Sequence, residues 1–99
     1  MQNLGQLVEK IRSKNAGPFW LTIDIFCGSA DVFARVQDRL KTSSIADSFQ
    51  VSTGTIKRFD IAELNVIKFS MPRPSIQGTT ADRDMHGASF AQIVCDLQI

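Results

Sequence analysis

The run from Arg12 to Phe26, R-S-K-N-A-G-P-F-W-L-T-I-D-I-F, decides how this chain folds. It opens with a polar, basic turn (Arg12, Ser13, Lys14, Asn15), passes a Gly17-Pro18 break, and becomes the most strand-like stretch of the sequence. Successive side chains of a strand point to opposite faces. Phe19, Leu21, Ile23, Ile25 and Cys27 therefore share one face, and Trp20, Thr22, Asp24 and Phe26 the other. The first face is wholly apolar and is expected to enter the core. The second sets two large aromatics beside a carboxylate and a hydroxyl, a mixture that a plain solvent face does not require. It is expected to be a site or a contact surface.

Upstream, Asn3 with Gln6 three residues later reads as a helix N-cap and a variant capping box. Leu4, Leu7, Val8 and Ile11 recur at helical spacing, which predicts a helix of about three turns ending near Ser13 to Asn15. Lys10, Arg12 and Lys14 then fall at its C-terminal end, where positive charge complements the helix dipole.

Downstream, Gly28 breaks the strand, which runs from about Pro18 to Cys27. Ser29 is placed to cap a helix with Asp31 in its first turn, and Val32, Phe33, Val36 and Leu40 line its inner side. A shorter helical piece from Ser44 carries Ile45, Ala46 and Phe49 inward. Ser52 to Thr55 is a turn. Two short strands follow, near Thr55 to Phe59 and Asn65 to Met71, and the second ends at Met71-Pro72-Arg73-Pro74 because proline removes a ladder donor. Ser75 to Ala88 is a polar loop without periodicity. Alternation of Ile93, Cys95, Leu97 and Ile99 predicts a last strand, with Val94, Asp96 and Gln98 on its outer side.

These elements make one domain of 99 residues. The fold class is α+β, a small four-stranded sheet with helices on one face, ferredoxin-like in part. The uncovered face would then hold Trp20, Thr22, Asp24, Phe26, Val66, Lys68, Ser70, Val94, Asp96 and Gln98. An exposed patch of that kind suggests a protein partner or self-association.

Composition narrows the function. A net charge of +1 with scattered Lys and Arg, and no Tyr, speaks against nucleic acid as a ligand. No run approaches the roughly 18 apolar residues of a membrane span, and the N-terminus is not a signal peptide. A cytoplasmic protein with two reduced, buried thiols, Cys27 and Cys95, is expected.

Two constellations could carry chemistry. Arg12, Ser13, Lys14, Asn15 and Gly17 offer cations, a hydroxyl, an amide and close backbone approach, suited to a carboxylate or phosphate. Asp82-Arg83-Asp84-Met85-His86-Gly87 holds the single histidine among carboxylates, an acid–base or ligand-binding grouping with no recognised metal spacing. Charges beside turns also serve merely to pair with one another and to end helices. No metal is expected, no cofactor is specified, and no serine or cysteine nucleophile context occurs.

Three motifs together, R-S-K-N-A-G-P-F-W-L-T-I-D-I-F at Arg12 to Phe26, I-K-F-S-M-P-R-P at Ile67 to Pro74 and D-R-D-M-H-G-A at Asp82 to Ala88, resemble domain-of-unknown-function family 4387 over nearly the whole chain. Members of that family are found beside AtuA-like proteins, named for acyclic terpene utilisation. The resemblance implies a small subunit of a two-component enzyme with an AtuA-like large subunit. A lyase, hydratase or isomerase acting on a small carboxylate or acyl thioester in a catabolic pathway would suit that setting. It implies Asp82, Asp84 and Asp24 as catalytic candidates and Arg12, Lys14, Asn15, Lys68 and Arg73 as substrate-binding candidates, while the open sheet face puts Trp20 and Phe26 at the partner interface. His86 departs from the family, which has an aromatic or aliphatic residue there. The alternative is a stand-alone binding or regulatory module for an anionic metabolite at Arg12 and Lys14.

Overall fold

The computed structural model describes residues 2–17, 19–72 and 90–99. In chain order these form α1 (Leu4–Leu7), β1 (Lys10–Asn15), β2 (Trp20–Phe26), α2 (Ala30–Arg39), α3 (Thr42–Phe49), β3 (Lys57–Ile61), β4 (Val66–Pro72) and α4 (Phe90–Cys95). The four strands make one antiparallel sheet in the order β1-β2-β4-β3. The fold is α+β, as its periodicity predicts, but two of its elements differ from that prediction.

The first difference is at the N-terminus. The helix stops after one turn at Leu7, and Lys10 to Asn15 extend as an edge strand against β2, joined by a tight turn in which the Ala16 amide donates to the Trp20 carbonyl at 2.9 Å. Leu4 and Val8 still reach the core, but Ser13 rather than a fourth helical residue is the buried member of the segment that follows. Lys10, Arg12 and Lys14 are thus cross-strand residues and not helix-end charges. Asn3 makes no side-chain cap. Its Oδ1 instead accepts from Gln98 Nε2.

The second difference is at the C-terminus, where the expected strand from Ile93 is the helix α4. Val94 is fully buried in the core and Ile93 is exposed, the reverse of the alternating reading. Only an isolated antiparallel bridge between Asn3 and Gln98 remains of the strand, and Gln2 and Ile99 exchange backbone hydrogen bonds at 3.2 and 3.1 Å. In a ferredoxin-like β-α-β-β-α-β chain the edge place beside the first strand is taken by the last strand. Here β1 fills it from the other end of the chain.

The core forms where the inner sheet face meets the helices. Leu21, Ile23 and Ile25 of β2 and Ile67, Phe69 and Met71 of β4 are all fully buried, against Leu4, Phe33, Val36, Leu40, Ile45, Phe49 and Val94. Each such side chain contributes about 1.5–3 kcal/mol by leaving water. Phe19, placed on this face by alternation, is 69% exposed instead, because it lies in the turn before β2 begins. Local signals hold the helices in place. Ser29 Oγ accepts from the Val32 amide at 3.2 Å, the predicted N-cap of α2. At its other end Arg58 of β3 donates to the carbonyls of Leu40 (2.7 Å) and Gln37 (3.3 Å), while its guanidinium lies 5.6 Å over the Phe69 ring. Phe90 of α4 meets Phe49 of α3 edge to face at 5.7 Å.

Candidate functional site

Strand register builds the outer face of the sheet in rows, because directly opposed residues of paired strands share a face. The central row runs Arg12, Asp24, Lys68, Phe59 across β1, β2, β4 and β3. On one side lies Lys10, Phe26, Val66, Ile61, and on the other Lys14, Thr22, Ser70, Lys57. Trp20 opposite Pro72 closes the face toward the β1–β2 turn. Among the described residues the helices pack on the inner face alone, as the membership of the core shows. Val66 is buried yet lies apart from that core, as an outer-face residue should.

Asp24 is half-buried, with a cation as register partner on either side, Arg12 and Lys68. Among the described residues the one ion pair within 4.0 Å is Arg58–Asp60 at 2.9 Å, so Asp24 is closed off by neither neighbour. Lys10 Nζ lies 5.2 Å over the Phe26 ring, a cation–π contact. Thr22 Oγ1 donates to the Lys14 carbonyl at 3.5 Å, which ties the third row together. Arg12, Ser13, Lys14, Asp24 and Phe26 line a depression of about 110 Å³. Two cations, a carboxylate and an aromatic edge around one hollow can hold an anion while keeping an acid–base group within reach.

Several sequence-predicted residues thus converge. Arg12, Lys14, Asp24 and Lys68 share the outer face, with Trp20 and Phe26 at its ends. Trp20 is 42% exposed, whereas Phe26 is half-buried under Lys10. Asn15 does not join them, because it pairs with Leu21 and so belongs to the inner face. Val94, Asp96 and Gln98, expected on the outer face, are not there. Val94 is in the core, Asp96 accepts from Gln92 Nε2 at 3.1 Å beyond α4, and Gln98 bonds to Asn3. Arg73, Asp82, Asp84 and His86 lie outside the described residues.

Lys10, Lys57 and Phe59 complete the face, although sequence reasoning gave them no part in it. Their signal is period-two spacing: Lys10, Arg12, Lys14 on β1 and Lys57, Phe59, Ile61 on β3. Phe59 is 48% exposed.

The thiols stand elsewhere. Cys27 is buried at the end of β2, where burial and, less, the nearby Asp60 carboxylate push it up to about 11. Cys95 is half-buried on α4, and burial followed by Asp96 raises it as well. Neither is a nucleophile near neutrality. Among the described residues no group of three His, Cys, Asp or Glu side chains could hold a metal ion, and no helix is long and apolar enough to cross a membrane.

A family described as a domain of unknown function (DUF4387) matches residues 4–98, nearly the full chain. No curated protein and no solved structure matches it.

Proposed function

The chain belongs to the DUF4387 family, and on that premise we propose that it is the small subunit of a two-component cytoplasmic enzyme with an AtuA-like large subunit. The reaction is a lyase, hydratase or isomerase step on a small carboxylate or acyl thioester. The observation that carries this reading is a mismatch between chemistry and volume. The hollow at Arg12, Lys14, Asp24 and Phe26 has charged groups suited to a carboxylate but only about 110 Å³. Ligand cavities usually enclose about 300–1,000 Å³. A hollow with functional groups, too small among the described residues to enclose a substrate, is what one half of a shared site presents.

In this reading Arg12, Lys14 and Lys68 hold the substrate's carboxylate through charge-assisted hydrogen bonds. Asp24 serves as the base that removes or returns a proton, and the large subunit supplies the enclosing wall. Asp82, Asp84 and Arg73 remain candidates on the strength of the family resemblance. Co-expression with the AtuA-like subunit, followed by light scattering and turnover of candidate hydroxy- and unsaturated carboxylates, tests the proposal. Trp20→Ala and Phe26→Ala should weaken assembly with little change in secondary-structure content. A chain that stays a monodisperse monomer beside the large subunit would sink it.

Arg12 and Lys14, which form no ion pair among the described residues, also favour a second reading, a stand-alone module for an anionic metabolite. Calorimetry on the isolated chain separates the two. Submillimolar binding of a carboxylate without the large subunit supports the module.

A further inference from the structure

Charge is distributed very unevenly over this molecule. Among the described residues the outer sheet face carries five cationic residues, Lys10, Arg12, Lys14, Lys57 and Lys68, and one carboxylate, Asp24. These groups sum to +4, in a chain whose net charge is +1. Pairing in the sequence hides this, because the cations come from three strands spread between positions 10 and 68.

We infer that the surface of the large subunit meeting the edges of this face, at Lys10 and Lys57, is an acidic patch, which leaves Arg12, Lys14, Asp24 and Lys68 to the substrate. The inference rests on the two-component reading and adds the chemistry of the partner to it. Lys10 and Lys57 stand on the two edge strands, β1 and β3, and neither lines the hollow at Arg12, Lys14 and Asp24. Trp20, at the end of the face near the β1–β2 turn, and Phe59, on its β3 edge, are exposed aromatics and the apolar anchors. The charges set orientation and the rate of encounter.

The same pattern disfavours the other occupants. A second copy docked face to face would bring +4 against +4, with one carboxylate per copy to offset five cations, and like charges opposed across an interface are strongly unfavourable. Single-stranded nucleic acid wants neighbouring aromatic platforms on which successive bases stack. Here Trp20 and Phe59 lie on strands that do not adjoin, β2 and β3, and a carboxylate lies in the central row between.

The test is the association rate of the full chain with the purified large subunit, followed by stopped flow through the fluorescence of Trp20, the chain's one tryptophan. Steered association should slow by at least tenfold between about 50 and 500 mM NaCl, as screening shortens the reach of the charges. The double variant Lys10→Glu, Lys57→Glu should associate at least tenfold more slowly at low salt and show a flattened salt dependence. Arg35→Glu with Arg39→Glu on the exposed side of α2 is the control and should leave the rate unchanged; circular dichroism checks that both variants fold. A complex that forms at a rate indifferent to salt and to the Lys10 and Lys57 reversals overturns the acidic patch while leaving the two-component reading intact. No complex at any salt concentration overturns both. A dimer of the chain in sedimentation that the same reversals dissolve or tighten, or tight binding of an oligothymidylate that they abolish, assigns the face to that occupant instead and also overturns the inference.

Discussion

Arg12 and Asp24 are register partners across β1 and β2, yet among the described residues no ion pair within 4.0 Å joins them. Lys68 stands at the same register on the far side of Asp24, and it too leaves the carboxylate unpaired. The row is held by backbone pairing and not by its charges, which are left free to meet something else.

Asp24→Asn should therefore separate stability from function. Partly exposed charges of this kind contribute about 0–1 kcal/mol to folding, so the urea midpoint should barely move. Turnover by the two-subunit complex should fall about 100-fold or more if Asp24 is the base, the usual scale for losing a general acid–base group. A stable variant with full turnover would show that Asp24 only balances charge.

Arg58 should behave in the opposite way. It closes the C-terminus of α2 through the Leu40 and Gln37 carbonyls, pairs with Asp60 at 2.9 Å, and covers Phe69, all on the inner side of the sheet. Arg58→Ala should lower stability by about 2–3 kcal/mol, the scale of charge-assisted hydrogen bonds lost together. Arg58→Lys keeps the charge but cannot reproduce the guanidinium fork, so it should recover only part of the loss. Chemical denaturation measures both, and assembly with the large subunit should persist wherever the variant is folded.

Gly5 marks the contact between α1 and α4. A Cβ added there would stand 2.8 Å from Cys95 Cβ, closer than real side chains come. Gly5→Ala should destabilise by about 1–3 kcal/mol, as overpacking does, seen as a lower thermal midpoint. An unchanged midpoint would mean that the short terminal helices separate at no cost.

The buried thiol gives a pH dependence. Cys27 rises from an ordinary value of 9.0 to about 11 on folding, so its proton is held more tightly in the folded chain. Its contribution to stability is complete below pH 9.0 and is lost as pH climbs from there to about 11, because the unfolded thiol ionises first. Cys27→Ala should flatten this part of the stability profile. At about pH 8, below both values, Cys27 should also resist iodoacetamide until the chain is unfolded, as peptide mapping would reveal.

Sequence alone determined β2, α2, α3, β4 and the inner and outer sides of β2, since each of these stretches fits one periodicity and fails the other. Leu21, Ile23 and Ile25 alternate without exception, and Ser29 supplies the cap that starts α2. It also brought forward Arg12, Lys14, Asp24 and Lys68 as chemistry-bearing residues, although it attached the first two to a turn at the end of a helix.

The chain's two ends were decided by tertiary structure. Leu4, Leu7, Val8 and Ile11 match a helix, but Lys10, Arg12 and Lys14 alternate with Ile11, Ser13 and Asn15 as a strand does, and both patterns share Ile11. Near Ile93 the alternating set competes with Phe90, Val94 and Leu97, which have helical spacing. Local propensity could not separate such patterns. The β1 segment extends because β2 offers a ladder of backbone partners one tight turn away, and with that edge of the sheet occupied by β1 the C-terminal segment coils into α4 and buries Val94. The cationic row around Asp24 is a product of that choice, for only a paired strand could bring Arg12 to the side of Asp24 opposite Lys68.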